Sequence, residues 1–183
     1  TNNWPLNNLK DYLYNPLHFS MAMVACDDAD GLVAGAVTQS SDVIRTAIRM
    51  IGIRPKSKNI SSIFFMISPD GQKAFTYGDC AVIPEPDSNQ LVEIAAESAD
   101  SHKLLSGEEA VVAFLSFSTK GSANHYRVDK VIEAVKLFGS KYPNIIHDGE
   151  LQVDAAIIPE VNKQKVPESP IEGEANVLIF PNL

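Results

Sequence analysis

The sequence predicts an α/β fold in which helices cover both faces of a mixed, largely parallel sheet, a three-layer α/β/α arrangement. Short apolar runs of strand length alternate along the chain with amphipathic helical patterns of about 10 to 15 residues. Two of the strand patterns are separated only by a tight Pro-Asp-Gly turn, which predicts an antiparallel hairpin. The other strands are separated by helices, so right-handed crossovers and parallel pairing are expected.

Residues 1–56 are predicted to be part of a first domain. The stretch 1–18 is expected to be irregular except for a short helix around 6–14, and the run LVAGAV at 32–37 is typical of a short buried strand. Apolar residues at helical spacing predict a helix on each side of that strand: Phe19, Met23 and Val24 before it, and Val43, Ile44, Ala47, Ile48 and Ile51 after it, ending at Gly52.

Residues 57–183 are predicted to form a second α/β domain, which begins within the polar connection 54–58. Its expected elements are strand 61–68, the turn Pro69-Asp70-Gly71, strand 73–83, helix 89–105, strand 111–117, helix 127–141, strand 145–148, a short helix near 154–162 and strand 175–180. The inward faces of the two long helices are predicted to be Leu91, Ile94, Ala95, Ser98, Ala99 and Leu105, and Val128, Val131, Ile132, Val135 and Leu137.

Composition argues against several classes of protein. The formal net charge is -8 and no basic block is present, so nucleic acid is not an expected partner. The longest apolar runs, such as VVAFLSF at 111–117, are far shorter than the roughly 20 residues of a membrane-spanning helix. Neither a membrane association nor a secretory signal is therefore expected.

The cysteines and histidines give no sign of a metal site or a disulfide framework. Cys26 and Cys80 are scattered thiols that fit a reducing, cytoplasmic compartment, and the 4 histidines lack metal-ligand spacing. Cys80 falls in a predicted strand and Cys26 in a predicted helix, so both are interpreted as buried, inert thiols rather than nucleophiles.

The first candidate site is Thr38-Gln39-Ser40-Ser41-Asp42, which follows a predicted strand and opens the helix that carries Arg45. A helix N-terminus offers unpaired N–H groups and partial positive charge, and Ser41 and Arg45 share one helix face. An arginine fork there can bind two phosphate oxygens. The alternative is that Ser40 or Ser41 merely caps the helix and Arg45 pairs with a surface carboxylate.

The second candidate is the loop Ser118-Thr119-Lys120-Gly121-Ser122 after strand 111–117. Gly121 permits close approach of the backbone to an anion, and Lys120 can supply a point charge. The loop lacks the glycine-lysine pattern of nucleotide triphosphatases, and a simple solvated connection is the alternative.

A third group contains the carboxylates Asp148, Glu150 and Asp154. They could act as general bases or metal ligands, but helix capping and a place on a cleft rim are the favoured interpretation.

Several segments, in order and with similar spacing, resemble the phosphate acetyltransferase family. They are ADGLVAGAVTQSSDVIRTAIRMIG at 29–52, SSIFFM at 61–66, YGDCAVIPEPDSNQLVEIA at 77–95, LSFSTKGSA at 115–123, DGELQVDAAIIPEV at 148–161 and SPIEGEANVLIFPNL at 169–183. The resemblance covers most of 18–183, whereas the first 17 residues match poorly.

The resemblance implies a two-domain fold similar to the isocitrate and isopropylmalate dehydrogenases, with the active site in the cleft between domains. It implies reversible acetyl transfer between coenzyme A and phosphate, giving acetyl phosphate, by a homodimer that needs no metal or tightly bound cofactor. Arg45 and Ser41 match catalytic positions. Thr38, Ser40, Ser118, Thr119, Lys120 and Gly121 are expected to bind substrate. In the family, the CoA thiolate is thought to attack the carbonyl carbon of acetyl phosphate directly.

The sequence departs from the family pattern at both ends. The family's proposed base, an aspartate in a segment with a serine-arginine pair, has no counterpart before Leu183, and an upstream arginine is not supplied by 1–17. A protein that ended at Leu183 is expected to show negligible turnover. Two alternatives remain: a phosphate butyryltransferase, and a non-catalytic acyl-CoA or acyl-phosphate sensor like those of some malic enzymes. Such sensors usually carry an aromatic residue where this chain has Ser41.

Overall fold

The structure is a computed structural model that describes residues 6–55 and 57–183. The chain divides into two compact units, Thr1–Lys58 and Asn59–Leu183. The division falls close to the predicted boundary after residue 56, although the identity of the first unit as part of a larger domain stays a prediction. The expectation for the first five residues lies outside the described part of the chain.

The first unit contains three helices among its described residues: α1 (Leu6–Leu13), α2 (Pro16–Ala25) and α3 (Ser40–Met50). The short helix predicted around 6–14 and the two helices predicted from apolar spacing are thus confirmed. Helix α2 begins at Pro16 because the Asn15 side chain accepts hydrogen bonds from the N–H groups of Leu17 and His18. Proline at the first helical position has no N–H to leave unpaired.

The buried strand predicted at 32–37 is wrong. This segment has no regular secondary structure, and Val33 and Val37 are 100% and 99% exposed. A strand exists only when its backbone groups pair with a neighbouring strand, and the described residues of this unit form no other strand. Among the described residues of this unit, the apolar segment LVAGAV therefore has no neighbouring strand with which to form backbone hydrogen bonds.

The second unit is a five-stranded α/β structure. Its elements are β1 (Ile63–Ile67), β2 (Ala74–Gly78), α4 (Ser88–Ser106), β3 (Val111–Leu115), α5 (Tyr126–Lys141), β4 (Ile146–Leu151), α6 (Val153–Ile157), α7 (Pro159–Lys165) and β5 (Val177–Ile179). The sheet order is β1-β2-β5-β3-β4, in which β1 pairs antiparallel with β2 and the remaining pairs are parallel. The mixed, largely parallel sheet and the hairpin are confirmed, and the helix predicted near 154–162 is two helices that meet at Pro159.

Alternating residues of the central strands build a core on each face of the sheet. On one face Val112 and Phe114 pack with α4 and α5, while on the other Ala113 and Leu115 pack with α6 and the segment before β5. Two residues predicted to point inward, Leu105 and Leu137, are instead 55% and 37% exposed. In α5 the buried residues that follow Val131 are Ala134 and Phe138, at positions i+3 and i+7 of the helix. Leu137, one residue before Phe138, therefore lies outside the buried stripe.

The long helix α4 begins at an acidic N-cap residue, Asp87. Asp87 accepts a hydrogen bond from the Gln90 N–H while the Gln90 side chain accepts one from the Asp87 N–H, and Gly107 ends the helix in the left-handed conformation. In the ranges 6–55 and 57–183, no helix has both the length and the apolar character needed to cross a membrane.

Candidate functional site

The loop after β3 is bound to the neighbouring strand β4 through one buried carboxylate. Oε1 of Glu150, a residue only 2% exposed, accepts hydrogen bonds from the Ser118 hydroxyl at 3.1 Å and the Gly121 N–H at 2.7 Å. The Lys120 N–H donates to the Glu150 carbonyl oxygen at 3.2 Å. Glu150 therefore determines the course of the loop, a role that the sequence analysis did not assign to it.

Lys120 lies at the tip of this loop in the left-handed backbone region, with φ of 44°. Its ammonium forms an ion pair with Asp148 and donates a hydrogen bond to the Gly149 carbonyl oxygen at 2.8 Å. Asp148 also accepts a hydrogen bond from the Ser169 hydroxyl. These contacts use two of the three N–H donors of the ammonium, and the side chain is 42% exposed.

Hydroxyl groups complete the internal bonding of the loop. The Thr119 hydroxyl accepts a hydrogen bond from the Gln152 N–H at 2.9 Å, and the Ser122 hydroxyl accepts one from the Thr119 N–H at 3.0 Å. Gly121 has φ of 84°, and a Cβ added there would meet nothing within 4 Å. The loop residues predicted to bind substrate are Ser118, Thr119, Lys120 and Gly121, and they lie together. Ser118, Thr119 and Gly121 are already hydrogen-bonded to other residues of the protein.

The start of α3 has a different character. Gln39 is the N-cap residue and makes no side-chain capping bond, so the alternative in which Ser40 or Ser41 caps the helix is wrong. Both serines are exposed, whereas Thr38 is half-buried. The N–H groups of Ser40 and Ser41 have no acceptor among the described residues, which leaves the first turn of α3 able to donate to an anion.

Arg45 pairs with Asp42 of the same helix, as the alternative interpretation held. The distance between Nη1 and Oδ1 is 2.8 Å, and the two side chains are 65% and 50% exposed. An exposed i, i+3 pair of this kind contributes only about 0.2–1 kcal/mol. The guanidinium therefore stays near the first turn of α3 without being bound tightly.

The predicted capping role of Asp148 and Glu150 is wrong, since both lie within β4 and the N-cap of α6 is Gln152. Asp154 does bind the start of α6, where it accepts from the Ala155 N–H at 2.8 Å. A hydrogen bond from Lys165 is the main cause that lowers the pKa of Asp154.

Another buried carboxylate, Asp79, was missed by the sequence analysis. It follows β2 and accepts hydrogen bonds from the Ser62 hydroxyl and N–H and from the N–H groups of Cys80 and Ile83. Burial opposes its charge, but the hydrogen bonds from Ser62 and the backbone outweigh burial and lower its pKa. The sequence analysis placed Asp79 inside the predicted strand 73–83, whereas β2 ends at Gly78 and Asp79 follows it.

The two thiols differ from each other. Burial, with the nearby Asp79 charge, raises the pKa of Cys80, which lies just after β2, so its thiolate is disfavoured. Cys26 ends α2 and is exposed, contrary to the expectation of a buried thiol. Within the described ranges, no three His, Cys, Asp or Glu side chains are grouped closely enough to hold a metal ion.

Comparison with known proteins gives a consistent result. A phosphate acetyltransferase from Thermoanaerobacterium thermosaccharolyticum is 44% identical over an alignment of 182 residues, and the match covers 97% of this chain and 56% of that protein. A phosphate acetyltransferase from Staphylococcus aureus is 46% identical over an alignment of 178 residues, and the match covers 95% of this chain and 53% of that protein. The chain therefore spans about half the length of the curated relatives it matches.

A solved phosphotransacetylase from Staphylococcus aureus superimposes with a TM-score of 0.87 at 44% identity, over 99% of this chain and 55% of that one. A phosphotransacetylase from Streptococcus pyogenes also gives 0.87, at 35% identity, over 98% of this chain and 54% of that one. The family profile described as phosphate acetyl/butaryl transferase matches residues 5–183. Since this match extends over nearly the whole sequence, the chain belongs to the phosphate acetyl/butaryl transferase family.

Proposed function

We propose that the protein carrying this sequence catalyses reversible transfer of an acetyl group between coenzyme A and phosphate. The similar proteins named phosphate acetyltransferase support this activity. The structural observation that carries it is the start of α3, where N–H groups without an acceptor in the described part of the chain, exposed serine hydroxyls and a guanidinium lie within two helical turns. Such a grouping suits an oxyanion such as phosphate or the phosphoryl group of acetyl phosphate.

In this proposal Arg45 binds the phosphate oxygens. Its existing pair with Asp42 is exposed and local, so a dianion can compete for the guanidinium at small cost. Ser41 donates its hydroxyl to the oxygen on which charge develops during transfer. Thr38 and Ser40 are proposed to bind the substrate beside them.

The loop after β3 is proposed to bind substrate through Lys120, whose ammonium has one donor beyond its contacts with Asp148 and the Gly149 carbonyl. Direct binding by Ser118, Thr119 and Gly121 stays a prediction. Their hydrogen bonds to β4 and to the residue after it, Gln152, support a structural role, since these bonds fix the backbone of the loop on either side of Lys120.

The proposed chemistry is attack of the CoA thiolate on the carbonyl carbon of acetyl phosphate, with phosphate as the leaving group. Proximity of two bound substrates supplies much of the acceleration, and the cation and hydroxyl donors stabilise the charge on the departing phosphate. No residue of this sequence is assigned as the base.

We further propose a fold of the isocitrate and isopropylmalate dehydrogenase kind, a cytoplasmic location and a homodimer. The mixed sheet supports the first and the two free cysteines support the second. The homodimer is supported by the family resemblance. The cleft between domains that the resemblance implies stays a prediction.

The test is phosphate-dependent release of thiol from acetyl-CoA by the natural protein that contains this sequence. We expect turnover with acetyl-CoA to exceed turnover with butyryl-CoA. A preference for butyryl-CoA would favour the butyryltransferase alternative, and binding of acetyl phosphate without turnover would favour the sensor.

Arg45→Ala should then lose about 2–4 kcal/mol of transition-state stabilisation, as expected for removal of one charged donor. Arg54→Ala, which removes an exposed arginine of the same unit, is the matched control and should leave kcat/KM within about twofold. Equal kinetics for the Arg45 variant and the control would contradict the proposal that Arg45 binds phosphate.

A further inference from the structure

The loop after β3 places one ammonium group beside two buried carboxylates. Asp148 and Glu150 lie on β4 and are 6% and 2% exposed. Asp148 forms the ion pair with Lys120, while Oε1 of Glu150 accepts from the N–H of the next loop residue, Gly121, at 2.7 Å. In the ranges 6–55 and 57–183, no other Lys, Arg or His forms an ion pair with either carboxylate. The group therefore carries one negative charge in excess.

Both carboxylate oxygens of Asp148 are bound. Oδ1 accepts from the Lys120 ammonium and from the Gly149 N–H at 2.8 Å, and Oδ2 accepts from the hydroxyl of Ser169, which is itself buried. A ligand that drew the ammonium away would leave a buried charge without its cation, which is strongly unfavourable. Asp148 therefore keeps the Lys120 ammonium in place when a ligand binds.

The Lys120 ammonium retains one N–H donor for a ligand. Asp148 and the Gly149 carbonyl oxygen use the other two, and the side chain is 42% exposed. The backbone of Lys120 has φ of 44°, a left-handed conformation that costs energy in a residue with a Cβ. Strain of this kind in a non-glycine residue is found most often where a side chain serves a site.

We propose that Lys120 donates this N–H to an uncharged carbonyl oxygen in the acyl-pantetheine arm of acetyl-CoA, and that Asp148 and Glu150 determine this preference. The inference rests on the acetyl transfer proposed above and names the part of the substrate that the loop binds. A phosphate oxygen at the same N–H would lie close to two negative charges, which repel it. A carbonyl oxygen has no net charge and still accepts a hydrogen bond from a cationic donor.

The guanidinium of Arg45 is suited to the other kind of ligand. Its partner Asp42 is exposed and belongs to the same helix, so Asp42 can return to water when a phosphate binds. Asp148 is buried and has no such freedom. The two cations proposed to bind substrate therefore differ in the acceptor that they favour, a phosphate oxygen at Arg45 and a neutral oxygen at Lys120.

The double variant K120M/D148N of the natural protein tests the neutral acceptor, since it removes the ammonium without leaving a buried carboxylate unpaired. We expect kcat/KM for acetyl-CoA to fall by roughly tenfold, while the KM for phosphate stays within about twofold. Because the acceptor is uncharged, the fall should be the same at about 0.05 and 0.5 M KCl. A rise in the KM for acetyl-CoA alone would assign an amide carbonyl of the pantetheine, and a fall in kcat the thioester carbonyl.

The single variant D148N tests the role of the carboxylate. It keeps an acceptor oxygen for Lys120 but removes the charge that neutralises the ammonium, so the loop should then attract anions. We expect inhibition by sulfate, measured as competition with acetyl-CoA, to strengthen by roughly tenfold. The matched control is the exposed pair of Lys73 and Glu174 in the same unit. K73M/E174Q and E174Q should leave each kinetic constant within about twofold.

Far-UV circular dichroism checks that each variant is folded. A KM for phosphate that rises in K120M/D148N, or a fall in kcat/KM for acetyl-CoA that disappears at high salt, would overturn the neutral acceptor. Sulfate inhibition that D148N leaves unchanged would overturn the role of Asp148. Normal turnover with unchanged kinetics in K120M/D148N would remove Lys120 from the site but leave acetyl transfer intact. A natural protein that releases no thiol would overturn both proposals.

Discussion

The start of α3 and the loop after β3 have similar compositions but different surroundings. Each combines serine and threonine hydroxyls with one cation, and the sequence predicts an anion site at both. At the start of α3 the serines are exposed, and among the described residues Arg45 pairs with Asp42 of its own helix. In the loop, Ser118 is buried and bound to Glu150 of another strand. Polar groups whose partners lie on a distant strand therefore stabilise the fold first, whereas those with weak local partners stay available to a ligand.

Among the variants that test this contrast, removal of the Glu150 side chain should lower the free energy of unfolding the most. Glu150→Ala leaves the Gly121 N–H and the Ser118 hydroxyl without their buried acceptor, so the free energy of unfolding should fall by about 2–3 kcal/mol. Urea denaturation of the full chain measures it. Glu150→Gln keeps an acceptor oxygen and should cost about 1 kcal/mol. The exposed Glu168→Ala is the control and should change stability by less than about 0.5 kcal/mol. Equal losses at 150 and 168 would show that the loop does not depend on Glu150.

Asp79→Asn should have the next largest effect, about 1–2 kcal/mol at neutral pH, because hydrogen bonds to a charged acceptor are the stronger ones. The folded pKa lies below the ordinary value of 3.8, so the contribution of the carboxylate is complete above that value and is lost as pH falls through the folded pKa. The stability difference between the unchanged chain and the variant should therefore shrink in acid. A difference that stays constant from pH 7 to about pH 2.5 would contradict a charged Asp79.

Gly121→Ala should have a smaller effect. The left-handed φ of 84° disfavours a residue with a Cβ, by about 1 kcal/mol, while open space around the site adds no clash. Gly31→Ala, also in open space but without a left-handed φ, is the control and should not destabilise the chain. A thermal unfolding midpoint that drops equally in both variants would show that backbone strain at Gly121 is not the cause.

Local patterns predicted most of the second unit. The hairpin and helices α4 and α5 were predicted because their signals, a tight turn and an apolar stripe, lie within each segment. The strand predicted at 32–37 failed because a strand needs a partner that its own composition does not reveal. Glu150 was misread for a similar reason: the Gly121 N–H that it accepts is 29 residues away in the sequence.

Unfolding and phosphate-dependent thiol release, measured on the same preparation of the Arg45→Ala protein, show whether Arg45 serves a ligand or the fold. The free energy of unfolding should stay within about 0.5 kcal/mol of that of the unchanged protein, because the pair with Asp42 is exposed. The value of kcat/KM for phosphate should fall by roughly 30-fold or more. A loss of stability with unchanged kinetics would contradict the assignment of Arg45 to a ligand site.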